Sequence, residues 1–229
     1  MICIPIAAAR TAEAIEKMER AQPLADLVEL RIDRMQELDL ERLIAARRVP
    51  VIVTNRSREE GGGYAGTEWE RVALLVEAVR LGADYVDIEE STDPALKAQV
   101  SSALSGGTTR LIVSWHDFSG TPPAEFLAAR LAACMADKPA IVKIVTHAST
   151  AADCLRLLSL IPEALRQGQP IAAFCMGRRG KISRIMAPLL GSVISYASLD
   201  PEEASAPGQF TIEEMQTINR IMGRGVRDE

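Results

Sequence analysis

The sequence is poor in the residues that build metal centres and disulfide frameworks. Its 229 residues include only two histidines and four cysteines, and no two cysteines form a CxxC pair. Each cysteine lies in an apolar segment, which favours buried free thiols in a reducing compartment. Because neither residue type recurs at metal-ligand spacing, we expect no metal site built from them.

Long apolar runs and segregated charges are also missing. No run approaches the roughly 20 apolar residues that a membrane-spanning helix needs, and the chain does not open with a secretory-signal pattern. The 26 basic and 31 acidic residues are interspersed and sum to a net charge of −5, so no nucleic-acid footprint or basic membrane patch is indicated. We expect a cytoplasmic protein with no nucleic-acid or membrane partner, in which a local arginine cluster binds any anionic ligand.

The chain is instead rich in short apolar runs that alternate with helical stretches. With 48% hydrophobic residues it can bury a large core. A helix is predicted over 67–81, opened by a capping box of Thr67 and Glu70, and a last helix over about 211–222. Eight apolar runs predict strands: ICIPI (2–6), LVELRI (27–32), VPVIVTN (49–55), YVDIE (85–89), RLIVSWH (110–116), AIVKIV (140–145), PIAAFCM (170–176) and VISYAS (193–198).

These strands are apolar almost throughout, which is typical of parallel sheets covered by helices on both faces. Eight strand-helix units in succession favour a closed (β/α)8 TIM barrel, an α/β fold. No linker-like stretch divides the chain, so we expect a single domain over 1–229. An open doubly wound sheet is the alternative.

Polar residues interrupt this pattern late in the strands or in the loops that follow them. In an α/β barrel the active site lies at the carboxyl ends of the strands, so these residues are candidates for it. They are Glu29, Arg31, Arg56, Glu60, Asp87, Glu89, His116, Lys143, Arg184, Ser205 and Gln209.

Lys143 and His116 are the candidates for chemistry. Lys143 stands among isoleucines and valines, where desolvation and nearby arginines would disfavour its charge and favour a nucleophilic amine. A strand lysine can also be structural, with its charge reaching the barrel end. His116 follows an apolar run at the expected catalytic height, and imidazole suits proton transfer near neutrality. The other histidine, His147, is interpreted as a surface or supporting residue.

Arg184 ends the glycine-containing segment GRRGKISR (177–184). The segment lacks the glycine and the serine or threonine that a Walker phosphate loop requires. Gly177 and Gly180 are expected to shape the start of a helix, in whose first turns a guanidinium can bind a carboxylate in a bidentate manner. A helix-surface arginine is the alternative.

Six segments, in this order along the chain, resemble those of the type I 3-dehydroquinate dehydratases, the Schiff-base enzymes of the shikimate pathway. Two of them alone, ELRID and SAPGQ, would be weak signals, but six in order on eight strand-helix units are specific. The segments are ELRID (29–33), TNRSREEGG (54–62), SWHDF (114–118), VKIV (142–145), GKISR (180–184) and SAPGQ (205–209).

The resemblance implies a mechanism without metal or cofactor. Lys143 would form an imine with the C3 ketone of 3-dehydroquinate, and the iminium would serve as the electron sink. His116 would remove a proton from C2 and return one to the departing C1 hydroxyl, giving 3-dehydroshikimate by syn elimination. Glu60 would orient His116.

The resemblance also implies the substrate contacts and a homodimer. Glu29, Arg31 and Arg56 would surround the substrate hydroxyls. The carboxylate would be held by Arg184, with Ser205 and Gln209 closing a lid over it.

Two other interpretations remain. A class I aldolase shares the barrel and the lysine imine, but acts largely on phosphorylated substrates and needs a phosphate site near the last strands, where Arg184 and SAPGQ suit a carboxylate better. A barrel that binds quinate compounds without turnover, as a regulator, would have no need of both Lys143 and His116.

Overall fold

The computed structural model describes residues 1–203 and 208–223 of the chain. In these ranges the strands, all paired in parallel, are β1 (Ile2–Ile6), β2 (Leu27–Arg31), β3 (Val51–Thr54), β4 (Tyr85–Glu89), β5 (Arg110–Asp117), β6 (Ile141–His147), β7 (Ile171–Met176), β8 (Ser195–Ser198) and β9 (Phe210–Thr211). The α-helices are α1 (Thr11–Ala21), α2 (Leu40–Ala45), α3 (Glu68–Arg80), α4 (Pro94–Leu104), α5 (Ala124–Ala136), α6 (Ala151–Leu158), α7 (Leu160–Arg166), α8 (Lys181–Leu189) and α9 (Ile212–Ile221). None of the helices in the described ranges combines the length and apolarity that crossing a bilayer requires.

The order of the strands makes the sheet a barrel. From β1 to β7 each strand pairs with the next one in sequence, and β1 also pairs with β8. Between β7 and β8 the described residues form no ladder, and the backbone N–H of Val193 donates to the carbonyl of Ile171 at 2.9 Å across this seam. The predicted α/β barrel is confirmed. The open doubly wound sheet is wrong, since its strand order reverses in the middle of the sheet.

The predicted element boundaries agree with the observed ones within a few residues. The capping box is confirmed, because the Thr67 hydroxyl accepts from the backbone N–H of Glu70 and the Glu70 carboxylate accepts from that of Thr67. The helix after β6 is split at Ser159 into α6 and α7. Pro162, which has no N–H to donate, falls in the first turn of α7, where that loss is tolerated.

The floor of the barrel interior is an apolar layer. Side chains alternate between the two faces of a strand, so every second residue points inward while its neighbours pack against the helices. One buried inward residue on or beside each strand contributes to the layer: Cys3, Leu27, Ile52, Tyr85, Ile112, Ile141, Ala172 and Ile194.

Two positions further along, on β2 to β8, the inward residues are largely polar. This level lies closer to the carboxyl ends of the strands, directly above the apolar floor. Buried charges at this level must find partners within it, because desolvation of an unpaired charge is costly. Its members are Glu29, Thr54, Asp87, Ser114, Lys143, Phe174 and Tyr196.

Candidate active site

A pocket opens above this polar layer, at the carboxyl ends of the strands. Ser114 is opposite Lys143 and His116 is opposite Val145 in the β5–β6 register, so Lys143 and His116 face the same interior one level apart. Ser205 lies outside the described residues. The other eight residues to which the sequence assigned a role line the pocket: Glu29, Arg31, Arg56, Glu60, His116, Lys143, Arg184 and Gln209.

Lys143 lies at the bottom of the pocket between two carboxylates. Its Nζ donates to Glu29 Oε1 at 2.9 Å and to Asp87 Oδ2 at 3.2 Å, and it lies 4.6 Å from the centroid of the Tyr196 ring. The same Glu29 oxygen accepts from the Thr54 hydroxyl at 2.9 Å. In the described part of the chain the hydrogen-bond partners of Lys143 are therefore carboxylates, and no arginine donor or acceptor is among them.

Arg56 connects the carboxylates of the polar layer. Its Nη1 donates to Glu89 Oε1 at 2.9 Å and to the Ser114 hydroxyl at 2.6 Å, and its Nη2 donates to Asp87 Oδ2 at 2.8 Å. Burial alone would raise the pKa of Asp87, but the charges of Arg56 and Lys143 hold it well below its usual range. Asp87 is therefore an anion that holds both cations in place.

His116 and Glu60 form the second functional pair. Glu60 Oε2 lies 2.9 Å from His116 Nδ1 and accepts from the His116 backbone N–H at 3.0 Å, which orients the imidazole. Burial, and then the charges of Arg56 and Lys143, hold the pKa of His116 well below its usual value. Burial raises the pKa of Glu60 to about 8 despite the opposing charge of Arg56. A neutral imidazole that donates from Nδ1 to Glu60 has Nε2 available as a base.

Arg184 is a buried cation on α8. Its guanidinium carbon lies 4.5 Å above the Phe174 ring centroid, and within the described part of the chain Nε and Nη2 have no hydrogen-bond partner. Burial lowers its pKa to about 10, so it is still charged at neutral pH. The alternative of a helix-surface arginine is wrong, because the side chain is buried and lines the pocket.

Arg31 lies at the rim of the pocket and is held by a neighbour that sequence reasoning did not select. Its Nε and Nη2 donate to Asp33 at 2.8 and 2.9 Å, and Asp33 also accepts from the backbone N–H of Gly63 at 3.0 Å. This arrangement joins β2 to the loop after β3. Gln209 is buried and lies just before β9.

The two histidines differ in placement, as predicted. His147 is half-buried at the end of β6 and does not line the pocket. Its ring covers Gly177, where a Cβ would lie 2.7 Å from His147 Nε2. Gly177 adopts a φ of +85° and Gly180 is the N-cap residue of α8, so both glycines do shape the start of that helix.

Several residues that build the site were missed by sequence reasoning. The sequence pattern marks Asp87 and Glu89 as polar strand residues without indicating a role for either. The two-residue alternation along the strands also points to Thr54, Ser114 and Tyr196. It identifies them once it is applied to uncharged as well as charged residues. Arg71 carries no such signal, because it belongs to α3: it is buried and donates to Glu89 Oε2 at 2.6 Å.

Comparison with known proteins agrees with this geometry. The family model described as "Type I 3-dehydroquinase" matches residues 2–225. The chain belongs to the type I 3-dehydroquinase family. A 3-dehydroquinate dehydratase of Desulfotalea psychrophila is 34% identical over 217 residues, covering 95% of this chain and 96% of that protein. One of Syntrophobacter fumaroxidans is 38% identical over 212 residues, covering 89% of each.

Solved structures of the type I 3-dehydroquinase family have the same fold. A 3-dehydroquinate dehydratase of Geobacillus kaustophilus aligns with a TM-score of 0.87 and 29% identity, covering 99% of this chain and 92% of that one. A type I enzyme of Clostridium difficile, solved with covalently modified comenic acid, aligns with a TM-score of 0.88 and 23% identity over 98% and 92% of the two chains. The resemblance inferred from the six segments is thereby confirmed, while the roles of the individual residues stay predictions.

Proposed function

We propose that this chain is a type I 3-dehydroquinate dehydratase, a hydro-lyase of the shikimate pathway that converts 3-dehydroquinate to 3-dehydroshikimate and water. The observation that carries the proposal is the buried amine of Lys143, which lies between Glu29 and Asp87 on the pocket floor and one strand from His116. An amine so placed can attack a ketone that enters from the carboxyl ends of the strands.

The proposed reaction begins with imine formation. The Lys143 amine adds to the C3 carbonyl, and the carbinolamine loses its oxygen as water to leave an iminium. His116 then takes the C2 proton, and the electron pair moves into the iminium to give an enamine. The C1 hydroxyl departs with a proton from His116 as the pair returns, and water hydrolyses the imine to free Lys143. Glu60 holds His116 in orientation throughout.

The proposed substrate pose follows from the distribution of charge. Arg184 is a buried cation with donors that no described residue occupies, which suits the substrate carboxylate. Gln209 lies at the same side of the pocket, and Ser205 is proposed to join it there. Glu29, Arg31 and Arg56 are proposed to meet the hydroxyls, although the donors of Arg31 and Arg56 are largely engaged with carboxylates.

Borohydride reduction in the presence of 3-dehydroquinate tests the imine directly. We expect mass spectrometry to find the reduced ligand on the peptide that contains Lys143, and no adduct or turnover in Lys143→Ala. Lys97→Ala is the matched control, since Lys97 pairs with Asp137 outside the pocket. His116→Ala should still form the adduct while turnover falls by about 10²–10⁴-fold, the usual contribution of a general base.

The same experiment separates the alternative functions. An adduct without formation of the conjugated product would indicate a ligand-binding regulator, and cleavage of a phosphorylated sugar would indicate an aldolase. A folded wild-type chain that gives neither adduct nor product would overturn the proposed function.

The predicted single domain over 1–229, homodimer and cytoplasmic location are proposed together with this function. Sedimentation velocity of the purified chain measures the mass of the assembly, and one cooperative unfolding transition is expected of one domain. Fractionation of the source cells measures the location.

A further inference from the structure

The ring of Tyr196 lies against the nitrogen that reacts. Lys143 Nζ is 4.6 Å from the ring centroid, within the roughly 6 Å at which an aromatic face attracts a cation, and both side chains are buried. We propose that the Tyr196 ring is a further catalytic group that stabilises the positive charge of the iminium at Lys143. This inference rests on the proposed function.

The Lys143 nitrogen loses N–H groups as the imine forms. As an ammonium, Lys143 has three, of which two are used toward Glu29 and Asp87. When the amine condenses with a ketone, the ketone oxygen leaves as water with two of those hydrogens, and the iminium nitrogen retains one. At most one carboxylate contact can therefore persist as a hydrogen bond. The contact with the ring needs no N–H, so it is available to the ammonium and the iminium alike.

The position of Tyr196 in the fold supports a role for the ring rather than for the hydroxyl. The hydroxyl is buried and has no hydrogen-bond partner among the residues that the structure describes, so it anchors nothing there. The ring packs against Phe174 with centroids 5.5 Å apart, across the seam where β7 and β8 form no ladder in the described ranges. Tyr196 is on β8 and Lys143 on β6, so the aromatic face reaches the nitrogen from the strand beyond β7.

Three variants separate iminium stabilisation from core packing. Tyr196→Leu removes the aromatic face, and Tyr196→Phe keeps it while removing the hydroxyl. Tyr85→Leu is the matched control, because Tyr85 is another buried barrel tyrosine whose ring contacts a cation, Arg110, at 4.1 Å, but it belongs to the floor layer. For each variant the yield of borohydride-reduced adduct, kcat, KM and the unfolding midpoint are measured with 3-dehydroquinate.

We expect Tyr196→Leu to lower the adduct yield and kcat/KM by about 2–30-fold, the range that cation–π contacts span, and Tyr196→Phe to restore both. Tyr85→Leu should lower the unfolding midpoint without lowering the adduct yield. If Tyr196→Leu does not fold, Tyr196→Met replaces the ring with an unbranched side chain and serves the same comparison. Equal yields in the ring-free and ring-retaining variants, with the wild type forming adduct, overturn this inference alone. Absence of adduct in the folded wild type overturns the proposed function as well.

Discussion

At the scale of single residues, Arg184 is a buried charge that the described residues do not fully satisfy with hydrogen bonds. It is a buried guanidinium on the face of Phe174, and two of its nitrogens find no partner in the described residues. Burying an unpaired charge destabilises a protein. Under the proposed function, this cost to the substrate-free protein is offset when the substrate carboxylate binds.

Replacing Arg184 with an apolar residue should stabilise the substrate-free protein and weaken substrate binding. We expect Arg184→Met to raise the free energy of unfolding of the substrate-free protein, measured with urea, and to raise KM by about 10–100-fold, since a hydrogen bond to a charged group contributes about 1.5–3 kcal/mol. Because burial lowers the pKa of Arg184 to about 10, the cation is present below that pH and binding should weaken above it. Arg130→Met is the control: Arg130 pairs with Glu90 at 2.8 Å, so its loss should destabilise without raising KM. A less stable Arg184→Met protein would contradict this account.

Glu60 is the second residue with a measurable cost of burial. Its pKa rises from 4.5 to about 8 in the fold, so the folded protein binds the Glu60 proton more tightly than the unfolded chain does. The stability gained from this tighter proton binding is fully present below about pH 4.5 and is lost as pH rises through about 8. Glu60→Gln keeps an oxygen for the His116 backbone N–H without the charge.

We therefore expect the free energy of unfolding of Glu60→Gln, relative to the wild type, to increase from pH 5 to pH 8 and then level off. Urea unfolding at a series of pH values measures this difference. Glu41→Gln is the control, since Glu41 lies exposed on α2. A difference that is flat or that decreases with pH would contradict the raised pKa.

At the scale of elements, the strands explain why so much of the site was predictable. Inward residues recur at every second position, so the sequence pattern indicates both the apolar floor and the polar layer above it. The same pattern assigns Lys143 and His116 to one end of the barrel. Which side chains meet could not be assigned. Lys143 contacts Glu29 and Asp87 on β2 and β4 because of barrel curvature and register, which a linear pattern does not contain.

Buried residues of the helices were the least predictable part of the site. Arg71 lies next to the buried apolar residues of α3, such as Val72, and resembles a surface residue in the sequence. In the structure it joins Glu89, the carbonyl of Asn55 and Glu68. A long polar side chain can cross from a helix to a strand, and only the fold shows its destination.

The loop after β3 positions Arg56 and Glu60, and Gly62 makes its geometry possible. A Cβ at Gly62 would lie 1.9 Å from the carbonyl oxygen of Arg56, so Gly62→Ala must displace the backbone by about 1 Å or more. Since displacement of that size at an active site can reduce activity about 100-fold, we expect kcat/KM to fall 10–100-fold. Gly107→Ala is the control, because its nearest neighbour is 3.7 Å away. Full activity of folded Gly62→Ala would show that the loop is free to adjust.

At the scale of the whole molecule, the charge of the pocket lining is opposite in sign to the net charge of the chain. The chain has a net charge of −5, yet the described residues that line the pocket include five cations and only two carboxylates. A positively charged cleft concentrates the electric field and attracts negatively charged ligands, even when the net charge of the protein is negative. The cations are Arg31, Arg34, Arg56, Lys143 and Arg184.

An anionic substrate should therefore be guided to the pocket, and salt should weaken that guidance. The Debye length falls from about 10 Å at 0.1 M to about 3 Å at 1 M ionic strength, so we expect kcat/KM to decrease across this range while kcat, measured on bound substrate, changes little. Arg34 is partly exposed at the mouth, where Nη2 donates to the Gly61 carbonyl at 3.0 Å. Arg34→Gln should make the salt dependence shallower, whereas Arg42→Gln, a charge change on exposed α2 surface outside the pocket, should not. Equal salt slopes in the two variants would show that net charge, not the lining of the pocket, controls the encounter.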